Sequence, residues 1–355
     1  MNTSKKCNMA FSDIIGQQEL VDRLKTAVCG VPGHAYAFLG PQGSGRRLLA
    51  RAFAKALLCN STNDGESCNQ CASCRYFDNG VHPDYTFVAR EGKDKNIKVE
   101  RVRHAITADV AMKPQMARHK VYLIMADDLN EPGQNALLKS LEEPPPYAVF
   151  ILIAAGMERL LPTVRSRVVP LMLARLSENE IVSVIRQTPG SDKLDIEELR
   201  FYARYAAGVP GSALNLLAEE WFAPLRQETA DFYFSLSRAN PAVLLTEGYT
   251  FFETNKPHIE DMLTILESFV RDEMTQLTTS NPDWIINRDF IGRFQAGRGT
   301  KAAGRQEIPL RQKVTSLANV SQAIHQTRKA LSYNVSFEIS VCQLLIVLRR
   351  ELLHA

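Results

Sequence analysis

The sequence lacks a long apolar run and carries little net charge, and these two deficits exclude several classes of protein. No stretch of about 20 consecutive apolar residues occurs in the 355-residue chain, so neither a transmembrane helix nor a membrane partner is expected. The polar segment Met1–Ala10 lacks the apolar core of a secretion signal, which predicts a cytoplasmic protein. A formal net charge of +3 neither requires nor opposes nucleic acid as a partner.

The composition is that of an ordinary globular protein, with 45% hydrophobic and 23% charged residues over a length typical of two or three domains. In the first half, apolar runs alternate with amphipathic stretches such as Gly133–Glu142. This alternation predicts a parallel β-sheet with helices on both faces. The predicted strands are His34–Leu39, Tyr85–Ala89, Lys120–Met125 and Ala148–Ile153.

The pattern becomes helical after about Leu173. Ser177 and Glu180 form the sequence signature of a capping box that opens a helix. Two short helices are expected within Ile196–Glu220, and Val314–Leu353 reads as one long amphipathic stretch. The predicted domains are an α/β domain over residues 1–175, a small helical domain over 176–222 and a second helical domain over 223–355.

A glycine-rich segment, Gly40–Arg47, lies between a predicted strand and a predicted helix. Its spacing matches the phosphate-binding loop G-x-x-x-x-G-K-[ST], in which backbone amides and a helix N-terminus surround a phosphate. Gly40, Gly43 and Gly45 are retained, but Arg46 replaces the lysine and Arg47 replaces the hydroxyl residue that binds magnesium. Weak phosphate binding through the backbone and a simple glycine turn both stay open as interpretations.

The acidic residues that a nucleotide-hydrolysing loop needs are displaced. Such enzymes hold magnesium with an acidic residue at the end of a neighbouring strand. Here the strand Lys120–Met125 runs into Ala126, and Asp127 and Asp128 follow two and three residues after the strand. We expect those two carboxylates to cap the following loop, and we expect the chain not to hydrolyse ATP.

Four of the seven cysteines crowd into sixteen residues, with the spacing Cys-x8-Cys-x2-Cys-x2-Cys. In a reducing compartment such a cluster is more often a metal site than a pair of disulfides. Four thiolates predict one structural zinc ion, with an iron–sulfur cluster, a redox pair or free thiols as alternatives. The predicted ligands are Cys59, Cys68, Cys71 and Cys74.

A zinc module that binds nucleic acid is a further alternative. Such a module is expected to interleave basic and aromatic residues around its cysteines. Arg75 is the sole lysine or arginine between Cys59 and Tyr85, which disfavours this interpretation. A distant loop, Gln295–Gln306, contributes basic residues and is expected to be a solvated segment; its region contains Arg293, Arg298, Lys301 and Arg305.

Several segments resemble the bacterial clamp-loader subunits of the AAA+ family. The similar segments are Phe11–Gln17, His34–Pro41, Gln134–Pro145 and Leu160–Arg167, together with the cysteine spacing. The resemblance covers about residues 11–217. It implies an AAA+ α/β domain of the phosphate-loop type with a small zinc module at 59–74, then a helical lid domain and an all-α C-terminal collar domain.

The resemblance also implies roles for individual residues. Leu160–Arg167 looks like the family segment that ends in Ser-Arg-Cys, so Ser166 and Arg167 take the Ser-Arg positions and Val168 replaces the cysteine. In the family that arginine acts in trans, reaching the γ-phosphate of ATP on the neighbouring subunit. Two departures accompany those of the loop: a polar sensor is missing at Ala154–Gly156, and an arginine is missing from Val209–Ala213.

Together these features imply a clamp-loader subunit that supplies Arg167 without hydrolysing ATP itself. Its implied partners are gamma/tau and delta subunits in a ring of five. Through that assembly it would act on the sliding clamp and on primed DNA. The alternative is a subunit of the gamma/tau type that hydrolyses ATP despite Arg46 and Arg47.

Overall fold

The computed structural model describes residues 10–92, 94–236, 240, 243–279, 281–294 and 308–353. It divides the chain into two compact units. The first comprises the chain up to Leu194 together with Ala206–Leu214, and the second comprises Asp195–Tyr205 and the chain from Asn215 onward. The three predicted domains remain a prediction, and Cys7, Arg298, Lys301 and Arg305 lie outside the described residues.

The first unit is built on a parallel sheet of five strands in the order β2-β3-β4-β1-β5. Placing β4 between β3 and β1 brings the carboxyl ends of these three strands together at one edge of the sheet. In open α/β sheets, ligand sites form at this edge. The strands are β1 (Ala35–Leu39), β2 (Tyr85–Val88), β3 (Lys120–Met125), β4 (Ala148–Ala154) and β5 (Val169–Met172).

Helices cover both faces of this sheet, as the sequence predicts. β1, β3 and β4 are almost fully buried, because their apolar side chains pack on both sides. One core cluster includes Phe38 and Phe53, and the other includes Tyr122 and Phe150. The helices of this unit are α1 (Gln18–Cys29), α2 (Arg46–Leu58), α3 (Ala72–Asp78), α4 (Val99–Val102, continued by a π-helical segment Arg103–Ala108), α5 (Glu131–Glu142), α6 (Pro162–Arg165) and α7 (Glu178–Arg186).

The second unit is helical throughout its described residues. Its core is rich in aromatic side chains, with Phe269 in ring contact with Tyr233, Phe234, Phe290 and Phe294. Helix α9 runs from the first unit into the second. The helices are α8 (Ile196–Tyr205), α9 (Pro210–Ala218), α10 (Phe222–Ser235), α11 (Tyr249–Thr254, preceded by a π-helical segment Leu244–Gly248), α12 (Ile259–Thr278), α13 (Leu310–Ser332) and α14 (Phe337–Leu352).

One strand of the sheet was not predicted from the sequence. The edge strand β5 contains Pro170, and Leu171 is its one buried residue, so it lacks an apolar run. The long amphipathic stretch Val314–Leu353 is helical and comprises α13 and α14, separated at Asn334, which adopts a left-handed backbone with φ of 56°. No helix within the described ranges is long and apolar enough to cross a membrane.

Candidate functional site

The glycine loop joins the end of β1 to the start of α2, at the carboxyl edge of the sheet. Gly43 and Gly45 have φ values of 84° and 92°, a left-handed conformation that favours glycine. Gly45 is the residue before the first turn of α2, and no side chain caps that helix end. The structure therefore brings together the predicted residues Gly40, Gly43, Gly45 and Arg46, with backbone N–H groups of the first helical turn left uncapped.

Arg46 points inward instead of lying open to solvent. Its side chain is 8% exposed, and its Nη1 lies 3.1 Å from Oδ2 of Asp127. The other carboxylate oxygen of Asp127 accepts the backbone N–H of Ala155 at 2.8 Å, just beyond the end of β4. One carboxylate thus links the start of α2 to the ends of β3 and β4.

This pairing corrects the sequence prediction for Asp127. The carboxylate does not cap the loop that follows β3, because Asn130 caps α5 by accepting the N–H of Gly133 at 2.9 Å. Asp128 faces another direction, with an oxygen 3.8 Å from Nε of Arg90. The signal in the sequence was Asp127 itself, two residues beyond β3, which is separated from the loop-bearing strand β1 by β4.

Two further side chains of the loop, those of Ser44 and Arg47, differ in their exposure. The Ser44 side chain is buried, and its Oγ has no hydrogen-bond partner among the residues that the structure describes. Arg47 is exposed, and its guanidinium lies 4.7 Å from the centre of the Phe87 ring. A guanidinium in the place of a hydroxyl cannot ligate a magnesium ion, because it offers only donors.

The first turn of α9 packs directly on the loop. The N–H of Gly211 donates to the carbonyl of Gly43 at 2.9 Å. A Cβ on Gly211 would lie 2.6 Å from the Cα of Gly43, so this approach requires glycine. The sequence shows that Val209–Ala213 contains no basic residue. The structure adds that the backbone of this segment contacts the glycine loop.

Arg167 and Ser166 follow the short helix α6 and lie at the protein surface. The Arg167 guanidinium donates to the carbonyl of Thr163 at 2.7 Å and to Oγ of Ser166 at 3.0 Å. Its Nη2 lies 2.9 Å from Oε1 of Glu142, at the end of α5. The side chain is 33% exposed, which leaves part of the guanidinium accessible.

The four clustered cysteines converge, as predicted. Their sulfur atoms all lie within 4.8 Å of one another, and the sulfur of Cys59 lies 3.5 Å from that of Cys68 and 3.9 Å from that of Cys71. A disulfide needs about 2.05 Å between sulfurs. A tetrahedral ion with metal–sulfur bonds of about 2.3 Å places its sulfurs roughly 3.8 Å apart. The geometry therefore fits one metal ion with four thiolate ligands.

The local backbone supports this arrangement. Cys59 ends α2, and Cys71 is the residue before α3, where its sulfur accepts the N–H of Cys74 at 3.4 Å. The sulfurs of Cys59 and Cys68 accept backbone N–H groups at 3.3 Å from Cys68 and Cys71, respectively. Such hydrogen bonds stabilise negatively charged sulfur.

Burial and hydrogen bonding shift the pKa values of three of these thiols, and not all in the same direction. Burial and the neighbouring thiols raise the pKa of Cys74, and burial also raises that of Cys59. At Cys68 burial acts in the same direction, but hydrogen bonds from backbone N–H groups and from two neighbouring thiols lower the pKa to about 6. A divalent cation would favour the thiolate form of all four.

A buried polar chain that sequence reasoning missed connects this module to the sheet. Ser73 Oγ donates to the carbonyl of Leu58 at 2.5 Å, and it lies 2.7 Å from Nε2 of His82. The N–H of Asp84 donates to Nδ1 of His82 at 3.0 Å, so Nε2 carries the proton. The Asp84 carboxylate itself accepts three backbone N–H groups, from residues 115 to 117. No spacing motif marks these residues in the sequence.

The sheet order, the glycine loop after β1 and the arginine beyond β4 fit an α/β domain of the phosphate-loop AAA+ class. Residues 16–177 match the family described as "DNA polymerase III, delta subunit". Over this region the chain is similar to subunits of the AAA+ clamp loader.

The relatives found by sequence are polymerase III subunits of several types. Over 211 residues the chain is 34% identical to the tau subunit of Bacillus subtilis, covering 58% of this chain and 37% of that protein. Over 212 residues it is 34% identical to the gamma subunit of Buchnera aphidicola, covering 59% and 57%. Over 137 residues it is 41% identical to the delta-prime subunit of Pseudomonas aeruginosa, covering 38% and 42%.

The chain thus spans between 37% and 57% of the length of these relatives, which are subunits of several types.

The comparison with solved structures includes a DNA polymerase III gamma subunit-related protein of Thermotoga maritima. It has 16% identity and a TM-score of 0.36, covering 93% of this chain and 99% of that one. A RuvB variant of the same organism has 16% identity and a TM-score of 0.43, with coverages of 96% and 89%.

Proposed function

We propose that the chain is a delta-prime subunit of the replicative clamp loader of DNA polymerase III and does not hydrolyse ATP. The observation that carries this proposal is the internal pairing of Arg46 with Asp127. In an ATPase loop, the cation at this position serves the phosphates, and a neighbouring hydroxyl serves magnesium. Here the cation is already neutralised, and Arg47 offers magnesium no oxygen.

In the proposed role Arg167 acts in trans on the ATP site of an adjacent gamma/tau subunit. A planar guanidinium can stabilise charge that develops on a transferred phosphoryl group. The partial exposure of Arg167 and its fixation by Thr163, Ser166 and Glu142 support this role. Gamma/tau and delta subunits are the proposed partners in the cytoplasm, and the sliding clamp and primed DNA are reached through the assembly. The C-terminal helices would supply this chain's share of a collar.

We further assign one structural zinc ion to Cys59, Cys68, Cys71 and Cys74. Four protein ligands leave no open coordination position, so the ion would stabilise the small module without taking part in chemistry. The module is too short to form a core of its own and would depend on the metal for its order.

The alternative is an ATP-hydrolysing subunit of the gamma/tau type. The tau and gamma relatives match over 211 and 212 residues, which is longer than the 137 residues matched by the delta-prime relative. Two features of the sequence oppose this alternative. Arginines replace the lysine and the hydroxyl residue of the loop, and the end of β3 lacks an Asp-Glu pair.

ATP turnover by the purified chain separates these functions. We expect no turnover by the chain alone and a stimulated turnover when it is mixed with its cognate gamma/tau and delta subunits. Arg167→Ala should remove the increment that this chain contributes, because the developing charge at one ATP site loses its cation. The measurement is steady-state phosphate release at saturating ATP.

Arg23→Ala, which changes an exposed arginine on α1, is the matched control and should leave the increment intact. Turnover by the isolated chain that Arg46→Gln abolishes would establish the gamma/tau alternative. An increment that survives Arg167→Ala, with assembly verified by gel filtration, would exclude the trans role.

A further inference from the structure

We propose that Asp127 is an internal counter-ion that keeps the glycine loop closed to polyphosphate, so that the loop retains a phosphate-binding capacity which its own chain suppresses. The inference deepens the proposed non-hydrolysing role and rests on it. Polyphosphate here means a chain of anionic phosphoryl groups, whether inorganic or part of a nucleotide.

The first step of the argument concerns charge. Arg46 is the loop's buried cation, and the Asp127 carboxylate lies 3.1 Å from it. A phosphate at the loop would compete with this carboxylate for the same guanidinium and would lie within a few ångströms of a like charge. Repulsion between like charges at that distance in a partly buried site is large compared with an exposed pair.

The second step concerns the groups that remain available. No side chain caps α2, so the N–H groups of its first turn are not consumed by a cap. Ser44 Oγ is buried beside Gly40 and has no hydrogen-bond partner within the described part of the chain. Buried polar atoms are almost always hydrogen-bonded, so an orphan hydroxyl next to an uncapped helix start indicates a missing acceptor. A phosphate oxygen is an acceptor of the required kind.

The third step concerns what holds Asp127 in place. Its second oxygen accepts the N–H of Ala155, so the carboxylate is fixed between β3 and β4 and cannot swing away without losing that bond. The N–H of Gly211 donates to the Gly43 carbonyl and therefore occupies no N–H group of the loop, whereas the N–H of Ser44 donates to the carbonyl of Pro41. The closure of the loop is therefore mainly electrostatic, and removal of one charge should reverse it.

The test is isothermal titration calorimetry, with inorganic tripolyphosphate titrated into the full-length chain. The salt concentration is about 0.1 M, because interactions between exposed charges are then screened beyond about 10 Å. We expect Asp127→Asn to bind tripolyphosphate at least about tenfold more tightly than the wild type does. The double variant Asp127→Asn with Arg46→Gln should return to the wild-type level. Asp128→Asn removes an adjacent carboxylate that does not contact Arg46 and should change nothing.

Equal affinities of Asp127→Asn and Asp128→Asn for tripolyphosphate would overturn the counter-ion role of Asp127. Tight binding that persists in the double variant would overturn it as well. Tight binding by the wild type that Arg46→Gln abolishes would mean that the loop is already open. If Asp127→Asn loses its fold by circular dichroism, Asp127→Ser, which keeps an acceptor for the Ala155 N–H, takes its place. ATP turnover by the wild type would overturn the non-hydrolysing role, whereas unchanged tripolyphosphate binding overturns the counter-ion alone.

Discussion

Two arginines of this chain occupy motif positions that concern phosphate, and their surroundings give them opposite uses. Arg46 is 8% exposed and has its charge neutralised within the chain. Arg167 is 33% exposed and is held by two oxygens of its own turn and by an exposed carboxylate. A guanidinium suits both tasks because its planar donors form directional hydrogen bonds with carboxylate or phosphate oxygens. Accessibility therefore decides which of the two can act on a neighbouring subunit.

Glu142 is expected to position Arg167 rather than to be essential for its action. Exposed ion pairs contribute about 0.2–1 kcal/mol, so Glu142→Gln should lower the increment in complex ATPase by a factor of about 1.5 to 5. Phosphate release by the assembled complex is the measurement. Glu143→Gln alters the next exposed residue of the same helix end and is the control. A loss as complete as that of Arg167→Ala would assign Glu142 a more direct role.

The neutral state of His82 is expected to make stability depend on pH. Burial lowers the pKa of His82, with the charge of Asp84 acting in the opposite direction. Because the folded pKa lies below the unfolded value of about 6.5, the stability from neutral His82 is present above that pH and is lost as the pH falls below it. Protonation of Nδ1 would leave the buried Asp84 N–H without its acceptor, which costs about 1–3 kcal/mol.

Chemical denaturation at pH 7.5 and pH 5.5 tests this dependence. His82→Gln should be less stable than the wild type at pH 7.5 and should lose less stability on acidification, since its side chain does not titrate. His34→Gln alters an exposed histidine and should keep the wild-type difference between the two pH values. Parallel curves for the wild type and His82→Gln would contradict the assignment.

Among the elements, the cysteine module should depend most on a bound ion. It spans two helix ends and a polar turn, and a bridge between Asn63 and Glu66 is its one strand-like pairing in the described structure. Cys71→Ser should abolish stoichiometric zinc and increase hydrogen exchange between residues 59 and 82, because three thiolates bind zinc less tightly than four. Elemental analysis and exchange mass spectrometry measure the two effects.

Cys29→Ser provides the control for that experiment, since Cys29 is an exposed free thiol outside the cluster. It should retain zinc and the wild-type exchange pattern. Iron in place of zinc in the anaerobically purified wild type would instead support the iron–sulfur alternative. Zinc retained at full stoichiometry by Cys71→Ser would show that the four-cysteine assignment is wrong.

The elements that the sequence predicted well are those whose burial is uniform. The predicted strand Lys120–Met125 matches β3 at both ends, and five of its six residues are buried. The capping box at Ser177 and Glu180 is confirmed, with the two residues hydrogen-bonded to each other. These signals are local, and local rules suffice to place them.

The contacts that escaped prediction depend on how different elements of the fold pack against one another. Arg46 and Asp127 are separated by 81 positions, and Asp127 meets Ala155 only because β4 lies beside β3. The polar chain from Ser73 through His82 to Asp84 likewise depends on how the cysteine module is seated against the sheet. Residue types in a motif could be identified from the sequence, but the partner of a charged side chain required the topology.

At the scale of the whole molecule, each of the two units buries large apolar side chains of its own. Phe53 is fully buried in the first unit, in ring contact with Tyr36 and Phe38. Phe269 is fully buried in the second unit, among four aromatic rings that include Tyr233. Since α8 belongs to the second unit while the following segment Ala206–Leu214 belongs to the first, the chain passes between the units more than once.

Two matched core truncations should therefore act on different units. Truncation of a buried phenylalanine costs about 3–5 kcal/mol, through lost burial and the cavity left behind. Phe269→Ala should increase hydrogen exchange in α10, α12 and α13 while leaving the sheet strands and the zinc content unchanged. Phe53→Ala should increase hydrogen exchange in the sheet strands while leaving α10, α12 and α13 unchanged. Each variant is the other's control, because the residue type and the degree of burial are the same.

Equal exchange increases in both units from either variant would mean that the molecule unfolds as one cooperative body. An effect confined to one unit would mean that the arginine-bearing α/β unit keeps its structure when the helical unit is destabilised.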